Sequence, residues 1–418
     1  MSSSTTPQPL RGRLLPEVVR DRVRGLRRRL PVPLVRQVDR RLGATPVLPT
    51  PEELARAAAR PEPPRTPVRL WIAPANFAGQ GHAWARAVDE HVPGAGARCM
   101  AVEGPHGFAA DQVVPAAAYR DIAWQKAQER YVLASYTHVL VEAGRPVLGT
   151  LYGRTCAGEL PRLRQAGGVV GLISHGSDLR VPSRHAERFQ HSPFRGSDDP
   201  LTARLERNAL AQVQLFETFD GPTFVSTPDL LDDAPRATWC PTVVDPDRWA
   251  SDTPVLERPR PRVVHVPSRG RLKGSAHIDA VLTDLHERGG VDYVRLEGVP
   301  HTTVQREVRA ADVVIDQAVM GLYGVSALEG LAAGRLVLGF VGDRVRERVR
   351  DLTGLDVPIV EITPETLADV LGSTLDDRDT ARSRATLGPA FVREVHDGRR
   401  SAAVLGAWLA TSPLPSEA

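Results

Sequence analysis

The run ADVVIDQAVMGLYGVSALEGLAAGRLVLGF, Ala311 to Phe340, decides the fold class. It reads as a buried strand at Asp312 to Asp316, a glycine-bearing loop with Gly321, Tyr323 and Gly324, a helix from about Val325 to Ala333, and a second buried strand at Leu336 to Phe340. Two continuous apolar strands bracketing a helix mark a parallel sheet covered on both faces. Working outward, further strands are predicted at Arg262 to Val266, Asp292 to Glu297 and Pro358 to Val360. An earlier set is predicted at Val68 to Ala73, Ala97 to Val102, Thr137 to Glu142, Val169 to Ser174 and Thr223 to Ser226, with helices at Gln80 to Glu90, Asp121 to Ala134 and Thr202 to Phe216. Between the sets lies the proline-dense WCPTVVDPDRWASDTPVLERPRPR, which has the character of a connector. The expected class is α/β, with two doubly wound domains facing a central cleft. The expected boundaries are 1–67 for a basic segment and Pro-rich linker, 68–245 and 246–388 for the two domains, and 389–418 for a final helical segment long enough to leave the second domain.

Composition agrees with this scheme. The chain has 418 residues, of which 42% are hydrophobic and 25% charged, enough to build two or three cores. No stretch approaches the roughly 18 apolar residues of a membrane span, and MSSSTTPQPLRGR leads into no signal-peptide core, so the expected location is cytoplasmic. Cys99, Cys156 and Cys240 are widely spaced and suit neither a disulfide framework nor a zinc site, and no metal ligands are expected. Only Lys126 and Lys273 are lysines among 53 basic residues, which gives each of them extra weight.

Charge is unevenly spread. Residues 1–45 hold eleven arginines against Glu17, Asp21 and Asp39, and Leu14, Leu15, Val18, Val19, Val23, Leu26 and Leu30 fall near one helical face. Such a basic amphipathic helix suits peripheral contact with anionic lipid or packing on the body of the protein with solvated arginines. With no Phe, Tyr or Trp in residues 1–45 to stack a base, nucleic acid is not an expected partner.

Three segments carry chemistry. HVPSRGRLKGS, His265 to Ser275, leaves a strand and brings Arg269, Arg271 and Lys273 to its carboxyl end, either as an anion site or as a solvated basic turn. In the deciding run, Gly324 admits close backbone approach, and the amides of Val325 and Ser326 open a helix where a phosphate can sit. Glu329, one turn in, either reaches the cleft rim and accepts ribose hydroxyls or is a solvated helix residue. In the first half, IAPANFAGQGHAWARA places Gly79 and Gly81 in a flexible turn, with His82 behind them as a base or a capping histidine. LISHGSDLR ends a buried strand in His175, Asp178 and Arg180, the last two free to pair with each other.

Arg269 through Lys273-Gly274, Glu297-Gly298, Tyr323-Gly324-Val325, Leu328-Glu329-Gly330 and Gly334 together resemble the donor half of GT-B glycosyltransferases, in particular the retaining family-four group. The likeness spans about residues 68 to 410. It implies two Rossmann-like domains, acceptor first and donor second, with FVREVHDGRRSAAVLGAWLA as a final helix crossing back to the first. It also implies transfer of a sugar from a nucleoside diphosphate sugar, of the UDP or GDP type, to an acceptor hydroxyl, without cofactor or metal. The acceptor would be a glycan, a lipid-linked sugar or a secondary metabolite. By this resemblance Arg269 and Lys273 contact the diphosphate, Glu297 and Gly298 the base, and Glu329 the ribose. The backbone around Tyr323, Gly324, Val325 and Ser326 faces the sugar or its phosphates, the loop of Gly79 and Gly81 lies against the donor phosphates and acceptor, and His175 reaches the sugar. One position departs from the pattern: Gly321 replaces the first of the family's two glutamates, with Asp316 or Gln317 as substitutes. That departure keeps open a non-catalytic nucleotide-sugar binder, and an inverting enzyme would need a base such as His82.

Overall fold

The computed structural model describes residues 48–105, 107–267 and 270–411, together with Leu34. The basic amphipathic helix expected within residues 1–45 and Arg269 lie outside the described residues.

Among the described residues, twelve strands form two all-parallel sheets. In the first sheet the order is β3 (Gln112–Val114), β2 (Ala95–Val102), β1 (Val68–Ala73), β4 (His138–Glu142), β5 (Val169–Ser174), β6 (Thr223–Val225) and β7 (Thr238–Trp239). The second runs β12 (Val360–Glu361), β11 (Leu336–Gly339), β10 (Val313–Ile315), β8 (Arg262–His265) and β9 (Asp292–Arg295). Winding reverses between β1 and β4 in one sheet and between β8 and β10 in the other, and open α/β sheets bind ligands at such points. At these reversals Ala73 pairs with Val141 and His265 with Ile315, so the loops after these strands emerge side by side.

The apolar runs are continuous because both sheet faces are covered: Leu70, Trp71, Ile72 and Ala73 are all fully buried. Alternate residues feed different cores. Trp71 and Ala73 join Val139 and Val141 on one face, while Leu70 and Ile72 meet Leu140 and Ile173 on the other.

Four segments differ from the sequence reading. The stretch read as a linker packs on the first domain through the helix Pro51–Ala58: Ala57 is buried, its carbonyl accepts from Gln112 Nε2 (2.8 Å) and Trp124 Nε1 (3.0 Å), and Tyr131 donates to the Pro61 carbonyl (2.5 Å). Edge strands β3 and β7 are too short to show as apolar runs. The final segment is two helices, Leu387–Val395 and Arg399–Thr411, broken at Gly398 with φ of +106°. The first packs on the helix Val325–Ala332, and the second crosses to the first domain, placing Leu405, Trp408 and Leu409 in its core.

Candidate active site

Between the carboxyl ends of the two sheets lies a cavity of about 410 Å3, lined by His175, Asp178, Lys273, Gly324, Ser326 and Glu329 among others. A larger cleft of about 980 Å3 adjoins it, sharing Ala78, Phe108, His301, Val325 and Glu329.

On the second-domain side Lys273 ends a single helical turn, Gly270–Lys273, and its ammonium is fully engaged. It donates to the Val266 carbonyl (3.1 Å), Asp316 Oδ1 (2.9 Å) and Ser326 Oγ (2.6 Å). Asp316 Oδ2 accepts from the Gly324 amide (2.8 Å), and Oδ1 also accepts from Ser326 Oγ (2.5 Å). Burial would raise the Asp316 carboxyl, but Lys273 and the bonds from Ser326 and Gly324 outweigh it and hold the group below its ordinary value. Asp316 is therefore the anchor of Lys273 and of the glycine loop, and both its oxygens are taken. This corrects its reading as a free substitute contact for a sugar. Gln317 is likewise committed, accepting from the Val319 and Met320 amides and donating to the Leu322 and Phe340 carbonyls.

The helix Val325–Ala332 begins with Gly324 as its cap, so its first amides have no partners within the helix, and Val325 and Ser326 line the cavity. Glu329 lines the cavity and is buried; its Oε1 lies 2.9 Å from His301 Nε2. Burial raises its carboxyl, while His301 and Lys273 pull it down.

Other expected residues lie elsewhere. Tyr323 points into the second core, its hydroxyl 3.3 Å from His396 Nε2 and its ring against Phe391. Glu297 is exposed and bonded to Arg295 (2.5 Å), leaving Leu296, Gly298 and Val299 to line the cavity. Gly321, at φ +65°, sits under the ring of Phe189 from the first domain.

On the first-domain side His175 contacts Glu142, which the sequence reading passed over. Glu142 ends β4 and is fully buried. Its Oε2 accepts from the amides of Ala75 and Asn76 (both 2.9 Å), and its Oε1 lies 3.0 Å from His175 Nε2. One carboxylate thus fixes both the loop after β1 and the histidine after β5. A polar residue closing the apolar strand HVLVE was the available signal. Gly81 is explained by the same group: a Cβ there would stand 2.8 Å from Glu142 Oε1, so this glycine serves packing and does not line the cavity. In the loop itself Asn76, Ala78 and Gly79 all have positive φ, a conformation only glycine adopts without strain.

Asp178 accepts from the amides of His175 (3.1 Å) and Gly176 (2.7 Å), and Arg180 pairs with Asp229 (2.5 Å), so the two do not pair with each other. His82 lines the larger cleft with Gly79 and does not line the cavity; burial lowers its pKa, with Arg86 acting in the same direction and Asp111 against it.

No family model and no curated protein matches this chain. Solved structures do. Sucrose-phosphate synthase from Thermosynechococcus elongatus superposes with a TM-score of 0.53 at 13% identity, over 81% of this chain and 97% of that one. HepE from Anabaena, described in complex with UDP and glucose, gives 0.52 at 11% identity over 82% and 99%. A glycosyltransferase from Rickettsia africae ESF-5 gives 0.50 at 9% identity over 82% and 98%. The chain has the GT-B fold. Within this GT-B frame the cavity occupies the interdomain cleft, with Lys273, Glu329 and the Gly324 helix on one wall and His175 on the other.

Proposed function

We propose that this chain is a glycosyltransferase that moves a sugar from a nucleoside diphosphate sugar to an acceptor hydroxyl, with retention at the anomeric carbon and without a metal ion. The observation that carries this reading is the convergence, in one cavity at the two sheet reversals, of a lysine, an open helix amino terminus, a buried carboxylate and a histidine. Breaking the anomeric bond builds negative charge on the leaving diphosphate. Fixed positive groups stabilise that charge as it forms, with no reorganisation at the moment of reaction. Lys273 and the amides of Val325 and Ser326 supply this term, and Arg269 adds to it by resemblance. Because Lys273 is paired with Asp316, the helix amino terminus carries a larger share than a free lysine would leave it. Glu329 keeps Oε2 for ribose hydroxyls, and His175, held by Glu142, meets the sugar. HepE, described in complexes with UDP and with UDP-glucose, supports a uridine carrier, and GDP is the other carrier to test.

In a retaining transfer the leaving phosphate takes the acceptor proton on the same face, so no enzyme base is required. The cationic groups take the place of a divalent ion, and turnover should persist in EDTA; loss on chelation would count against the reading. Titration calorimetry of UDP, GDP, ADP and dTDP against the wild-type chain and Lys273→Ala tests the donor site. Micromolar binding of one nucleotide, weakened more than about tenfold in the variant, is expected, and failure of all four to bind refutes it. Phe189 over Gly321 favours one other reading, a non-catalytic nucleotide-sugar binder. Tight donor binding without hydrolysis or transfer across many acceptors would select it. The basic N-terminal segment supports a cytoplasmic enzyme that touches anionic membrane peripherally, which vesicle co-sedimentation with and without residues 1–47 tests.

A further inference from the structure

His301 lies where three parts of the molecule meet. It opens the helix His301–Arg309 in the second domain, and its ring lies edge-on to Phe108 of the first domain (centroids 5.4 Å apart) and to Trp249 of the connector (5.6 Å). Its Nε2 is 2.9 Å from Glu329 Oε1, and it lines both the cavity and the adjoining cleft. Phe108 also stands beside the first-domain loop, 3.5 Å from where a Cβ on Gly79 would lie.

We infer that His301 is a positioning residue that holds Glu329 ready for the nucleotide and makes that readiness depend on the first domain being in place. This rests on the donor-site reading above. An imidazole N–H spent on Glu329 Oε1 fixes the carboxylate rotamer while leaving Oε2 as an acceptor. A buried carboxylate without that donor loses both its orientation and part of its charge. The ring cannot move without leaving Phe108 and Trp249, so an opening of the domains that withdraws Phe108 loosens the carboxylate as well. Nucleotide binding to the second domain is thereby coupled to closure by the first, through a ring that need not touch the substrate.

The test is UDP titration of the full chain as wild type, His301→Ala, His301→Gln, Glu329→Ala, Phe108→Ala and the double variants, each checked for folding by circular dichroism. His301→Ala should weaken UDP by about tenfold or more, while His301→Gln, which retains an N–H donor, should recover most of the loss. In the Glu329→Ala background His301→Ala should add little, and the effect of Phe108→Ala should shrink once His301 is alanine. Equal UDP affinity in wild type and His301→Ala would overturn this inference alone. Full additivity with Glu329→Ala would overturn the positioning role, and full additivity with Phe108→Ala the coupling between domains. If the wild type binds neither UDP nor the other nucleotides, the donor-site reading falls and this inference with it.

Discussion

Phe189 of the first domain covers Gly321 of the second so closely that a Cβ on the glycine would lie 2.8 Å from the ring Cε1, and closer still to Cζ. The same ring meets Phe340 edge-on at 5.4 Å, and a Cβ on Gly342 would come within 2.9 Å of it. The glycine that breaks the paired-glutamate pattern is thus filled from across the cleft. Restoring glutamate should fail in the single variant: Gly321→Glu meets the ring and also adopts a left-handed backbone that costs about 1–2 kcal/mol. We expect a lower thermal midpoint for Gly321→Glu and partial recovery in the double variant with Phe189→Ala. A wild-type midpoint for the single variant would show that the ring yields freely.

Lys273 and Asp316 should behave as a unit. Removing the lysine leaves a fully buried carboxylate uncompensated, and such losses cost about 3–5 kcal/mol. Lys273→Ala should therefore lose stability as well as nucleotide affinity, and Lys273→Ala with Asp316→Ala should regain stability without regaining affinity. Denaturant unfolding and calorimetry on the same samples separate the two effects.

Glu142 has no surface of its own, yet it should affect turnover. Glu142→Gln keeps the size but weakens the bonds to the amides of Ala75 and Asn76 and to His175. The expected outcome is a fall in kcat of about tenfold or more with a smaller change in donor KM, because the His175 ring, proposed to meet the sugar, is misplaced while the second-domain wall is intact. An unchanged kcat would remove Glu142 from the site.

A fourth prediction concerns pH. Glu159 is fully buried, and burial pushes its carboxyl up to about 8 against the opposing bonds from the amides of Val147 (2.5 Å) and Leu148 (3.0 Å). The folded chain holds this proton more tightly than the unfolded chain, where the group has its ordinary value of 4.5. Its contribution to stability is therefore full below that value and is lost as pH rises to about 8. Each unit of displacement corresponds to about 1.4 kcal/mol. In urea unfolding between pH 5 and 8, the wild type should lose stability more steeply than Glu159→Gln; parallel profiles would refute this.

How far the sequence carried depended on whether the information was local. Strands covered on both faces must be continuous apolar runs, so β1 and β5 were legible to the residue, as was the helix start at Val325. β3 and β7, of three and two residues, sit at sheet edges and carry no such run. The site follows the same division. Lys273, Glu329 and His175 stand out locally: His175 and Lys273 come after apolar strands, and Glu329 interrupts an otherwise apolar helix. Their partners do not: Glu142 is 33 residues from His175, His301 is 28 from Glu329, and Phe189 reaches Gly321 from the other domain. Which side chains meet across such distances is set by the packing of elements, and periodicity along the chain contains no record of it.

The helix Arg399–Thr411 has a consequence for engineering. Trp408 lies against Gly171 and Phe224 of the first sheet, so this helix completes a core begun more than three hundred residues earlier. A hybrid that exchanges either half of this protein with that of a relative therefore needs two splice points, one in the connector near residue 245 and one at Gly398, so that each core keeps the helix it was built around.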